Sequence, residues 1–408
     1  MFMNCARCIF YRTPFRLKRA TRILQQIAYA DKQRIFCTTL ITAASTKSNA
    51  YAPEKALDFE QTFAALVKML RNECEECPEV GERLSKSLEY NVPHGKKLFA
   101  AVTVALYKQI EDPDRLTDEN VFLANILGWC MQMVMILALV LHRDSNLWRF
   151  QVHTSSLIYD DLEDSSETRH GALCWYLLED VGIRAVNDAR LVLSCVYAIL
   201  RRYFRGSHCY VPIMELLQDS VSRVTMGQAL DLALKSGAVE LDSFDMKMYD
   251  TLVEYKTACL FRVPVMHAMY LRGGYEPEVY KQVGDIFFEI GKYYQVQNDY
   301  LDCFGHPDVT GNKGTDIETG ACSWLIVQAV QRATEVEREL LRKSYGRPNK
   351  ESVMAVRCIY EELGLRRAYD VYEKETYSLL RGEIGKVSDN ALRQFLCAVL
   401  ESIHGRNS

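Results

Sequence analysis

Residues 121–141 run for 21 positions without a charge, and only Asn125 and Gln132 interrupt them with polarity. A helix apolar on every side must be surrounded, by lipid or by other helices. Length alone fits both. The rest of the chain is written in helical period. Leu57, Phe59, Phe63, Leu66 and Leu70 recur at helical spacing within 56–72. Pro93 and Gly95 mark a turn before the next helix. Further helical stretches read 185–203, 210–234, 244–271, 277–300, 321–345, 352–381 and 388–404. No repeat, low-complexity tract or strand-like alternation stands out.

Chemistry concentrates at residues 157–171, where Leu157, Ile158 and Tyr159 run into Asp160, Asp161, Glu163 and Asp164. On a helix Asp160 and Asp164 share a face, and two carboxylates aimed together repel unless a cation lies between them. Oxygen-only ligands suit Mg²⁺, which accepts one or two carboxylates together with substrate phosphate oxygens. The plainer alternative is a solvated acidic face. Thr168-Arg169-His170 follows within a short distance, and its cations suit a phosphate. A second cluster, Asn298-Asp299-Tyr300-Leu301-Asp302, comes after an apolar and aromatic run.

Taken together, DDLEDSSETRHG, NVPHGK, GQALDL, YKTA and NDYLDCFG with VTGNKGTDI resemble the trans-isoprenyl diphosphate synthases, and among them the farnesyl diphosphate synthases of animals. The resemblance spans roughly 59–403. It implies an all-α isoprenoid synthase fold, a helical bundle whose two Asp-rich motifs oppose each other across a central cavity. It also makes 121–141 a buried central helix. A prenyl diphosphate would be the substrate and three Mg²⁺ ions the cofactor, held by Asp160, Asp161, Asp164, Asn298 and Asp302. Diphosphate contacts would come from Arg169, Lys256, Thr257, Gln295, Lys313 and Lys96, with Asp160, Asp161, Asp164, Arg169 and Lys256 as the catalytic set. A homodimer is implied as well.

The chain departs from the pattern at identifiable places. Phe99 stands where the family has an arginine in its acceptor site, and His94 replaces a glycine. His170 stands for a second arginine, Asn298 for an aspartate, and Asn312 and Ala321 for lysines. Charge-assisted hydrogen bonds contribute about 1.5–3 kcal/mol each. Losing two or three from one ligand would cost roughly 3–9 kcal/mol, or about two to six decades of affinity. A site that ionises its allylic substrate without an acceptor can only cyclise the cation, deprotonate it or quench it with water. The expectation is therefore a class I terpene synthase, a lyase turning farnesyl diphosphate into a sesquiterpene, similar to the terpene synthases of insects. Small residues before the first motif, Ser155-Ser156, would deepen the cavity for the longer substrate. A prenyltransferase with a remodelled acceptor site and a non-catalytic synthase subunit are the alternatives.

A net charge of −4 gives no reason to expect nucleic acid. The fourteen cysteines are scattered, and the C-x-x-C pairs Cys5/Cys8 and Cys74/Cys77 lack histidines at zinc spacing, which favours free thiols in a reducing compartment. Residues 1–50 form a separate basic arm: Arg7, Arg12, Arg16, Lys18, Arg19 and Arg22 precede the first acid, Asp31. That composition predicts a mitochondrial transit peptide, the alternative being a disordered basic extension that stays on in the cytosol. The synthase domain would occupy 51–408. It carries an unusual insertion near 139–156, because Asp160 follows Trp129 by 31 residues, several turns beyond the family's spacing.

Overall fold

The computed structural model describes residues 59–93, 97–138, 168–169, 172–235, 241–305 and 314–405. The basic arm, the insertion near 139–156 and the first Asp-rich motif lie outside the described residues. In chain order the helices are α1 (Phe59–Asn72), α2 (Pro78–Asn91), α3 (Leu98–Ile110), α4 (Asp118–Ala138), α5 (Ala185–Phe204), α6 (Tyr210–Lys235), α7 (Met246–Val253), α8 (Cys259–Arg272) and α9 (Pro277–Phe304). They continue as α10 (Asp316–Thr319), α11 (Trp324–Arg332), α12 (Glu335–Ser344), α13 (Lys350–Glu362), α14 (Leu365–Gly385) and α15 (Asn390–Ile403). The architecture is the expected all-α one.

α4 carries the charge-free run and settles its two readings. Ile126, Leu127, Trp129, Cys130 and Met131 are fully buried, and α1, α3, α5, α6 and α8 pack around the helix. Among the described residues no helix is long and apolar enough to cross a membrane. Burial of this kind, at about 25 cal/mol per Å² of apolar surface, holds the bundle together.

Among the described residues two large apolar cores result, beside a small cluster of Trp175, Val181, Ala185 and Ala189. The larger joins α1–α6, α8, most of α9, the end of α14 and α15, and the smaller joins α7, the end of α9, α11–α13 and the start of α14. α9 runs through both, so its last turns sit where the cores meet.

Local departures from the expected helices have physical causes. The stretch 321–345 divides at Ala333-Thr334, where Thr334 and Glu337 form a reciprocal capping box that starts α12. The stretch 352–381 divides at Gly364, whose φ of 66° is left-handed. One antiparallel pair, β1 (Thr168–Arg169) with β2 (Ala172–Leu173), escaped notice because two residues are too few to alternate. It matters for position. Tyr90 on α2 donates to the Leu173 carbonyl at 2.7 Å, and Arg83 grips buried Asp188 with two hydrogen bonds of 2.7 Å. The Trp175 indole donates to the same carboxylate at 2.9 Å. α2 and α5 thereby clasp the segment just after Arg169.

Candidate active site

Between α7 and α8 the helix widens over Glu254–Ala258 into a π-turn. Such a turn inserts one extra residue and re-aims its side chains. Two glycines press on it from either side. A Cβ at Gly227 on α6 would come within 2.8 Å of the Lys256 nitrogen, and one at Gly291 on α9 within 2.8 Å of Ala258 Cα. Both neighbours are backbone and cannot yield. The close approach sets Lys256 and Thr257 between α6 and α9.

From there a hydrogen-bond chain crosses the site. Thr257 Oγ1 donates to Gln295 Oε1 at 2.8 Å, and Gln295 Nε2 donates to Asp299 Oδ1 at 2.7 Å. Asp299 Oδ2 accepts from the Tyr249 hydroxyl and the Trp324 N–H, each at 2.7 Å. Burial and the Asp299 charge raise the Tyr249 pKa far above the usual phenol value, so Tyr249 stays a donor. Lys256, buried at 5 % exposure, places its ammonium 2.6 Å from Asp231 Oδ2 on α6. These groups line a cavity of about 390 Å³ with Lys235, Thr315, Asp316, Glu318 and Ala321. The size suits a small ligand.

Of the residues expected from sequence, Lys256, Thr257 and Gln295 thus come together in one wall. Asn298 and Asp302 are buried on α9, one helical turn apart, but are not among the described lining residues; Asp299 is. Asp302 accepts the N–H groups of Thr315 and Asp316 at 3.1 Å each, fastening the start of α10. Asp160, Asp161, Asp164, Lys96, Lys313 and His170 lie outside the described residues, and of Arg169 only the backbone is described. Sequence reading missed Asp231, Lys235, Tyr249 and Asp316. GQALDL was noticed, yet Asp231 within it was given no role.

The donor chemistry near the second motif fits magnesium. Asn298 and Asp302 present oxygen atoms, and a carboxylate that accepts two N–H groups keeps further lone pairs. Among the described residues no group of three or more histidine, cysteine or acidic side chains could hold a metal alone, so the first motif would have to complete the set.

The surroundings of Phe99, the position expected in an acceptor site, are aromatic instead. Phe99 on α3 is 4 % exposed and meets Phe261 edge-on, with ring centres 5.1 Å apart; Phe261 in turn meets Tyr294 at 5.1 Å. Tyr293 is buried, with its hydroxyl near His404 and Glu373. The neighbouring cation Lys97 is committed elsewhere. It pairs with Glu60, and its ammonium lies 5.2 Å from the Trp129 ring centre.

Comparison with known proteins agrees with this framework. The sequence model of the polyprenyl synthetase family matches residues 150–363. The chain is 34% identical over 375 residues to the farnesyl pyrophosphate synthase of Murgantia histrionica, covering 91% of this chain and 88% of that protein. It is 37% identical to the farnesyl pyrophosphate synthase of Gallus gallus over 354 residues, 86% of this chain and 92% of that one. The corresponding human protein is 36% identical over 356 residues, 86% and 80% of the two chains.

These relatives overturn the terpene synthase expectation, and with it the lyase activity and the sesquiterpene product. That expectation summed charge losses at Phe99 and His170 as if they were independent. Contacts on one ligand are not additive, and a site can lose several without losing its ligand. The chain belongs to the polyprenyl synthetase family of enzymes.

Proposed function

We propose that the chain is a prenyltransferase, joining an allylic prenyl diphosphate to isopentenyl diphosphate with release of pyrophosphate. The observation that carries this reading is identity of 34–37% to farnesyl pyrophosphate synthases across more than four fifths of the chain. The cavity supports it with a buried cation at Lys256 and fixed polar groups at Thr257 and Gln295.

The allylic diphosphate lies against Lys256, Thr257 and Gln295, with Arg169 and Lys313 completing its contacts. Asp160, Asp161, Asp164, Asn298 and Asp302 would hold magnesium, which when bound would supply the charge neutralisation that makes diphosphate a better leaving group. Lys96 contributes to the isopentenyl site, which Phe99 and His170 have remodelled. The C–O bond to the allylic diphosphate breaks, the isopentenyl double bond forms the new C–C bond, and one proton leaves.

The working unit is a homodimer. The arm at 1–50 is a transit peptide that directs the chain to mitochondria, so a chain starting near Tyr51 should fold and turn over like the full one. Loss of solubility on truncation would make the arm part of the fold.

The test is product identity. Protein supplied with Mg²⁺, dimethylallyl or geranyl diphosphate and isopentenyl diphosphate should yield a prenyl diphosphate longer by five-carbon units. Absence of any elongated diphosphate would reject the reading.

A further inference from the structure

Lys235 belongs to none of the matched positions that carry the family resemblance, yet it closes α6 at the cavity wall. Its ammonium lies 2.7 Å from Asp231 Oδ2, the same oxygen that Lys256 approaches at 2.6 Å. Asp231 and Lys235 stand four residues apart, one above the other on a helix face. Burial raises the Asp231 pKa, but Lys256 and Lys235 outweigh it and hold it at about 2. One ionised carboxylate therefore gathers two ammonium groups, and this local trio is net positive.

Among the described residues lining the cavity, Lys235 and Lys256 are the ones that carry positive charge, against the acids Asp231, Asp299, Asp316 and Glu318. An anion entering here meets those two cations. Each ammonium has three N–H donors. The Lys235 side chain is 26% exposed and the Lys256 side chain 6%, so Lys235 is the more reachable of the two. We propose that Lys235 is a diphosphate-binding residue, forming with Lys256 a two-lysine clamp spaced by Asp231 that receives the allylic diphosphate. The proposal rests on the prenyltransferase reading above. A diphosphate has enough anionic oxygens to accept from both amines while Asp231 holds them apart.

The experiment compares wild-type protein with Lys235→Met, an uncharged side chain of similar length. Inorganic pyrophosphate is titrated calorimetrically in the presence of Mg²⁺, and KM and kcat are measured for the allylic substrate. Affinity for pyrophosphate should fall about tenfold or more, from loss of one charge-assisted contact. KM should rise in step while kcat changes little, and Lys235→Arg should keep most of the affinity. Lys235→Met combined with Ala321→Lys, which returns a cation to the same cavity, should recover part of it. A merely structural lysine would give no such relocated rescue. Should Lys235→Met fail to fold, acetylation of Lys235 in wild-type protein, followed by mass spectrometry, decides instead. Protection by pyrophosphate supports the clamp, and equal rates with and without it overturn the clamp. Unchanged pyrophosphate affinity in a folded Lys235→Met variant also overturns it, leaving the prenyltransferase reading intact. Failure of wild-type protein to elongate any substrate removes that reading instead, while the pyrophosphate titration still decides whether Lys235 binds.

Discussion

Around Lys256, four elements meet through hydrogen bonds and ion pairs: α6 through Asp231, the π-turn through Thr257, α7 through Tyr249, and α9 through Gln295 and Asp299. Around Phe99, α8 and α9 approach α3 with rings instead, Phe261 against Phe99 and Tyr294 against Phe261. The first region is fixed before any ligand arrives and offers cations to an anion. In the second, Phe99, which the family resemblance sets at an arginine position, is packed into the core. On the prenyltransferase proposal, one diphosphate grip would stay intact while part of the other contributes to hydrophobic stability.

Cutting the grip should have the largest effect. Lys256→Met leaves Asp231 buried with one partner fewer, and breaking such a pair costs about 3–5 kcal/mol. Turnover should fall by at least about a hundredfold in steady-state assays. Wild-type rates in a folded Lys256→Met protein would remove the polar wall from the mechanism. Phe99→Ala probes the other region and should act on stability, with a loss of about 3–5 kcal/mol seen in denaturant titration. KM for the allylic substrate should stay close to wild type, and a loss of activity without loss of stability would reverse the comparison.

A smaller effect is expected from Tyr249→Phe, which removes one of the donors to Asp299. Leaving that buried acceptor short costs about 1–3 kcal/mol. Thermal unfolding and KM should both move, because Asp299 orients Gln295. The mildest test lies within the larger core, on α8. His267 is fully buried, and neither ring nitrogen has a hydrogen-bond partner among the described residues. Burial holds its pKa at about 3, below the ordinary 6.5. The unfolded chain therefore binds a proton that the native state refuses, and stability falls as pH drops from 6.5 towards 3. His267→Leu should raise stability modestly at pH 7. It should also flatten the pH slope over that window by about 1.4 kcal/mol per pH unit. An unchanged slope would mean that His267 is protonated in the folded protein.

The fold was legible because its signals are periodic: the uncharged run of α4 and the spacing of Phe63, Leu66 and Leu70 on α1 leave few alternatives. Lys256, Thr257 and Gln295 could be found because YKTA and the second motif fix them in sequence, and they do meet in one wall. The π-turn could not, since no residue code marks it. Gly227 and Gly291 give their reason only when helices far apart in sequence are brought together. Lys235 has no sequence signal of its own; only Asp231 and the cavity give it a setting. The division at Thr334 was readable from its capping box with Glu337 but was hidden by continuous helical periodicity on both sides. The function was misread at Phe99, where a lost charge was taken for a lost ligand.

Steady-state kinetics of the full-length protein with Mg²⁺, dimethylallyl diphosphate and isopentenyl diphosphate, each varied in turn, tests the comparison most directly. The account predicts elongation, with a KM for isopentenyl diphosphate at least about tenfold above that for the allylic partner, the shortfall of one charge-assisted contact. Equal KM values would contradict a remodelled acceptor end, and no elongation at any concentration would contradict the prenyltransferase itself.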